Sequence, residues 1–192
     1  MQPALSIRIS LLPRHTAGWK LALSLLALLL VSGCVSTPEE QLRTAAMDGY
    51  LIRVERLLLD GVSPQTADER GVTPLHLAAK NGHREVIAIL LDHGAPMDQI
   101  RQDGVTPLFL AAQEGRRDIV ALFLERGAEV NSQGRVGGVT LLHLGAYRGD
   151  RDMVALLLQY GADKNARLTS GERPVDLARQ QGHTTLVPLL DP

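Results

Sequence analysis

The sequence predicts an all-α solenoid of stacked helix-turn-helix units, and three observations carry that prediction. The first is a period. Gly71-Val72-Thr73-Pro74-Leu75-His76-Leu77-Ala78-Ala79 returns as Gly104-Val105-Thr106-Pro107-Leu108-Phe109-Leu110-Ala111-Ala112. It returns again from Gly138 to Ala146, and in worn form from Gly171 to Arg179, so the leading glycines stand 33, 34 and 33 residues apart. A fixed spacing of this size marks an array of stacked units, each burying its apolar face against its neighbours. The second observation is helical spacing within each unit, as in Leu75, Ala78 and Ala79 followed by Val86, Ile87 and Leu90. The third is composition. Aromatics make up only 3% of a chain that is 45% hydrophobic, so the core is built from Leu, Ala, Val and Ile, which suit thin, closely stacked helical layers.

The 192 residues begin with a segment that lies outside the repeats. Arg8, Arg14 and Lys20 precede an apolar run of 11 residues, Leu21 to Val31, and the small residues Ser32 and Gly33 lead to Cys34. A basic stretch, an apolar stretch and a small-residue junction are the three parts of an export signal. The run falls short of the about 20 apolar residues that span a bilayer. Val31-Ser32-Gly33-Cys34 resembles the lipobox of bacterial lipoproteins, a resemblance that implies cleavage before Cys34 and lipidation of its thiol. An uncleaved anchor or a simple secretory signal is the other reading. Cys34 is the only cysteine, so no disulfide forms within the chain. In the lipoprotein family an Asp after the Cys favours the inner membrane, so Val35 implies the periplasmic face of the outer membrane. On this reading residues 1–33 are the signal and residues 34–39 a short tether, with Ser36-Thr37-Pro38 extended.

The first repeat is expected over residues 40–69. It keeps Ala45-Ala46 and Gly49 in register with Ala78-Ala79 and Gly82, but lacks Thr-Pro-Leu-His. Its acids Glu39 and Glu40 suit a helix start. The second, 70–102, is the clearest: Thr73 caps a helix, Pro74 occupies its first turn, Gly82 ends it, and Gly94 ends the next. Repeats over 103–136 and 137–169 follow the same plan. The last, 170–192, is degenerate. Arg179 replaces a small Ala and should face outward, and Pro188 should interrupt a short final helix.

Together these residues resemble the ankyrin repeat family over about residues 40–190. The resemblance implies units of a β-turn or hairpin followed by two antiparallel helices, and a motif His that bonds locally and orders the turn. It also implies a protein partner held by the hairpin tips and by the exposed, concave face of the first helices. The positions carried over are Glu69, Arg70, Lys80 and Asn81 in the second unit and Gln102, Asp103, Gln113 and Glu114 in the third. Val136, Tyr147 and Arg148 follow in the fourth, and Glu172, Gln180 and Gln181 in the fifth. Tyr147 stands out as an aromatic where the stack requires none, and Tyr and Arg are typical anchors of binding energy. Its other reading is packing on Val139 or the neighbouring helix.

Other chemistry is weighed against the repeat pattern and set aside. The first 38 residues hold three basic residues and no acid, so the remainder sets 17 basic against 21 acidic residues, a net charge of −4. That balance speaks against a nucleic-acid binder. His83-Arg84-Glu85 lacks the convergent ligands of a metal site. Gly134-Arg135-Val136-Gly137-Gly138 lacks the Lys-Ser/Thr of a phosphate loop and reads as an enlarged hairpin tip, flexible or adapted to one partner. Arg116, Arg117, Arg148 and Arg151 read as solvated helix-start residues. No catalytic constellation stands outside the repeats, so the expectation is a monomeric, non-enzymatic binding protein without metal or cofactor. It is expected at the envelope, anchored by lipid. Two narrower expectations accompany it: an immunity or inhibitor protein for an envelope toxin or enzyme, and a stabiliser of a periplasmic stress-protection enzyme.

Overall fold

The computed structural model describes residues 36–132, 134 and 137–191. The signal segment and Cys34 lie outside the described residues. Among the described residues the chain forms ten α-helices, one 3-10 turn and no strand. The helices come in pairs: α1 (Pro38–Asp48) with α2 (Leu51–Leu59), α3 (Pro74–Asn81) with α4 (Arg84–Asp92), and α5 (Pro107–Gln113) with α6 (Arg117–Glu125). Then come α7 (Leu141–Arg148) with α8 (Arg151–Gln159), and α9 (Pro174–Gln180) with a 3-10 turn (Thr184–Leu186) leading into α10 (Val187–Leu190). First helices stack on first helices and second on second, so α3 packs on α1 and α5, while α6 packs on α4 and α8. This is the all-α solenoid that the period implies.

One continuous apolar core runs through the stack. Leu42, Leu75, Leu108 and Leu141 descend through the first helices, and Val54, Ile87, Val120 and Val154 through the second. The paired alanines, Ala45-Ala46 through Ala111-Ala112, are buried to within a few per cent and let the layers approach closely. Phe123 is the largest fully buried side chain.

Thr-Pro starts the inner helices of the second and third units by the expected chemistry. Thr73 and Thr106 are extended N-caps whose hydroxyls accept from the N–H of His76 (3.4 Å) and Phe109 (3.2 Å). The first unit carries a surprise. Its helix begins at Pro38, within the stretch expected to be extended linker, and the Thr37 hydroxyl accepts from the Glu40 N–H at 3.2 Å. Thr-Pro is therefore present in the first unit, three residues further from the alanine pair than in the second. The helix is longer, at 11 residues against 8 in α3, and that spacing hid it. At the other end Pro188 does not interrupt a helix. It lies in the first turn of α10, where its missing N–H is not needed, so the chain passes from a 3-10 turn into a short helix. Arg179 is exposed and pairs with Asp191 at 2.9 Å.

The units are stapled by a recurring device that lies outside the motif. The last turn of each first helix leaves carbonyls without helical partners. The next unit supplies the donor: His83 Nε2 and Asn81 Nδ2 reach Met47 O at 2.9 and 2.8 Å, and Arg116 Nε reaches Lys80 O at 3.4 Å. Arg148 donates to Gln113 O, and His183 Nε2 to Tyr147 O at 3.1 Å. The imidazole of His183 passes directly over Gly149, which has φ +73°. A Cβ there would stand 2.6 Å from two ring atoms. Gly149→Ala should therefore cost about 2 kcal/mol, from left-handed strain plus the displaced hydrogen bond. Gly161→Ala, at φ +82° with nothing near its Cβ, should cost only the strain. Chemical denaturation of the two variants checks the difference, and equal losses would mean that the His183 staple contributes nothing.

Candidate partner-binding surface

The stack places one residue per unit in a row along its open face. Met47, Lys80, Gln113, Tyr147 and Gln180 occupy the same position at the ends of α1, α3, α5, α7 and α9, and all five are exposed. Tyr147 is 53% exposed and Met47 42%. Their chemistry differs from step to step: thioether, ammonium, amide, phenol, amide. Each of the first four has its carbonyl occupied by the following unit, so the backbone of the row is fixed while its side chains remain available. Rigid presentation lowers the ordering cost of binding.

Above this row lie the hairpin tips. The Asp68 carboxylate accepts from the N–H groups of Arg70 and Val72 at 2.9 and 2.8 Å, which closes the second unit's tip. Gln102 N donates to Arg70 O at 3.0 Å, and its side-chain amide to Glu69 O at 2.6 Å, so adjacent tips are tied together. Arg70, Val72, Arg101, Gln102 and Asp103 line a cleft of about 320 Å³ between them. Arg101 pairs with Asp103 at 2.5 Å, and this hydrogen bond holds the Asp103 carboxyl below the usual carboxylate range. The surface is therefore mixed in charge and suited to a polar protein partner.

Of the expected contact residues, Glu69, Arg70, Lys80, Gln102, Asp103, Gln113, Glu114, Tyr147 and Arg148 are exposed, and Asn81 is half-buried. Val136 lies outside the described residues. Three expected contacts have structural duties, the first being Gln102, whose amide ties two tips through Glu69 O. The Asn81 amide and the Arg148 guanidinium staple neighbouring units through Met47 O and Gln113 O. The same correction applies to the arginines read as solvated. Arg116 binds Lys80 O, while Arg117 reaches Asp150 (3.3 Å) and Asp152 (2.5 Å) of the next unit. Arg84 donates to Asp118 O at 2.9 Å. These side chains are half-exposed and each pair adds about 0–1 kcal/mol. Met47 extends the row beyond the expected contacts, and its 33-residue register with Lys80 was signal enough to find it.

The motif histidines are spoken for. His76 Nδ1 lies 2.8 Å from the Thr73 hydroxyl and its Nε2 3.2 Å from Val105 O of the next unit. His143 repeats the arrangement with Thr140 and Glu172 O at the same distances. The motif His thus joins units as well as ordering its own turn. In the third unit Phe109 takes the slot and lays its ring against Gly134, where a Cβ would come within 3.3 Å of it. That contact explains one glycine of the enlarged tip by close packing. Among the described residues no three His, Cys, Asp or Glu side chains gather as metal ligands, and no helix is long and apolar enough to cross a membrane.

Stacked helix pairs joined by tight hairpins, with variable residues displayed on one face, define a solenoid binding scaffold. Residues 42–134 match the family model for three ankyrin repeats and residues 137–167 that for a further ankyrin repeat. The chain belongs to the ankyrin repeat family. It is also similar to the ankyrin repeat-containing protein P1E11.10 of Schizosaccharomyces pombe, with 41% identity over 55 residues, or 29% of this chain and 27% of that protein. The likeness thus spans about a quarter of that relative's length. Ankyrin repeats suggest protein–protein interaction, and proteins built from them are typically non-enzymatic scaffolds.

Proposed function

We propose that this chain is a lipid-anchored envelope protein that holds a partner protein on the face formed by its first helices and hairpin tips. The row Met47, Lys80, Gln113, Tyr147 and Gln180 carries the reading: five exposed, chemically distinct side chains on a fixed backbone. The lipid anchor rests on Val31-Ser32-Gly33-Cys34 and on Val35, which favour the periplasmic face of an outer membrane. Tyr147 is the central anchor of the binding face.

Crosslinking and pull-down from membranes should recover a partner with the native chain and lose it with Lys80→Ala plus Tyr147→Ala. A hot-spot Tyr contributes at least about 2 kcal/mol, so affinity should fall by about 30-fold or more. Arg148 is left intact in this test because it staples the fold. Equal recovery from both chains would remove the face from the reading. Assay of the captured partner separates the roles: lower activity in the complex marks an inhibitor, and a longer half-life under oxidative stress a stabiliser. Cys34→Ser should release the chain from the membrane fraction, and retention despite it would mean that the apolar segment itself is the anchor.

A further inference from the structure

The first unit displays apolar side chains where the inner units display acids. Ile52 is 81% exposed and Leu59 74%. One period later their slots hold Glu85 and Asp92, then Asp118 and Glu125, then Asp152 and Gln159. Ile52, Arg56 and Leu59 stand at i, i+4 and i+7 of α2, so they form one stripe along the helix. Tyr50, 59% exposed, sits at its head, and Gly49, Tyr50, Leu51, Ile52, Arg53 and Arg56 line an open trough of about 630 Å³. Glu55 flanks the stripe on its other side.

Being the first of the stack explains only part of this pattern. The slots of Arg53 and Arg56 hold Val86 and Ile89 in the next unit. No repeat precedes the first in the sequence, so polar residues there are what an end requires. At the Ile52 slot the missing acid has a similar cause in part, because Asp118 O and the Asp152 carboxylate accept from Arg84 and Arg117 of the unit before. At the Leu59 slot it does not, because Asp92 pairs with Arg126 of the unit after. Position at the end does not account for an isoleucine and a leucine in water, flanked by a tyrosine and two arginines.

We infer that this stripe docks on the phospholipid surface, laying α2 along the headgroup region. The inference rests on the reading of Cys34 as the lipid-bearing residue. Because α1 begins at Pro38 and is capped by Thr37, only three residue steps separate the cap from Cys34, a reach of about 10 Å. The first unit is then held at the bilayer whatever the rest of the stack binds. α2 runs antiparallel to α1, so Leu59 lies at the end where the tether enters. Apolar side chains enter the acyl boundary, Arg56 extends its stem across it to lipid phosphates, and Tyr50 sits at the headgroup level, while Arg53 donates to the Gln41 side chain of α1 at 3.2 Å. The row at Met47, Lys80, Gln113, Tyr147 and Gln180 then rises from the membrane step by step.

The test places an environment-sensitive fluorophore on the full chain at Ile52→Cys or, for reference, at Gln159→Cys, the equivalent of the Leu59 slot in the fourth unit. Each labelled chain is reconstituted into vesicles of phosphatidylethanolamine and phosphatidylglycerol containing nitroxide-bearing lipid. Quenching at position 52 should exceed that at 159 several-fold, and Leu59→Glu should at least halve it while the protein still sediments with the vesicles. Equal, weak quenching at both positions with the chain in the vesicle fraction overturns the docking and leaves the anchor standing. Where the chain proves soluble, the anchor reading fails, and the same measurement on added vesicles decides docking by itself. Dilution-dependent energy transfer between labelled copies without lipid quenching overturns the proposal in favour of a second copy of the chain.

Discussion

Phe123→Ala is expected to lower the unfolding free energy by about 3–5 kcal/mol, the range for emptying a fully buried aromatic site. Phe123 has no accessible surface, and it lies on α6, the second helix of the central unit, between α4 and α8. In a linear array stability is a sum over units and interfaces. Damage at the centre weakens two interfaces at once, whereas damage at an end weakens one. The variant should therefore unfold over a broader denaturant range than the native chain, as the two halves lose their coupling. Leu190→Ala is the control. Leu190 is equally buried at 1% exposure, but it stands on the terminal helix, so its loss should fray α10 and leave the remaining transition steep. Equal broadening in the two variants would mean that the chain folds as one unit without a directional core.

His143→Ala should cost about 2–4 kcal/mol, because it leaves two groups on different units without their partner. Glu172 O can only accept, so Nε2 of His143 carries the proton. Nδ1 is then free to accept from the Thr140 N–H at 3.3 Å and from its hydroxyl. A second proton on the ring would face the Thr140 N–H, and His143, at 1% exposure, is out of reach of the water that would solvate the charge. Burial accordingly holds the imidazoles of His143 and His76 below their ordinary value of 6.5. The sign follows from the unfolded chain. Below pH 6.5 it takes up protons that the folded chain refuses, so stability is full above that value and is lost as pH falls below it. Within that window each histidine contributes a slope of up to about 1.4 kcal/mol per pH unit. Denaturation midpoints should drop from pH 7 toward pH 5, and His76→Asn or His143→Asn should each halve the slope. A flat profile in the native chain would mean that the two rings are hydrated.

The repeat architecture was legible because the array is periodic. Thr73, Pro74, Gly82 and Ala78-Ala79 act on their own neighbours, through capping, φ preference and size, so local sequence was enough to place the helices. The shifted Thr37-Pro38 was missed because register was set by the alanine pair, and a helix longer by three residues breaks that register without breaking the capping chemistry. The staples were missed for another reason. Asn81, Arg116, Arg148 and His183 donate to carbonyls about 34 to 36 residues earlier, and whether a long polar side chain turns to solvent or to a neighbour depends on the gap between layers.

By itself the sequence determined the fold class and the position of the motif histidines, since each follows from chemistry within a few residues or from the period itself. Only the tertiary structure decided which polar residues display themselves and which bind the stack together. It also singled out Ile52 and Leu59 as apolar groups with no cover among the described residues. A single residue's surroundings come from units one period away on either side, and no local pattern encodes whether those neighbours are present.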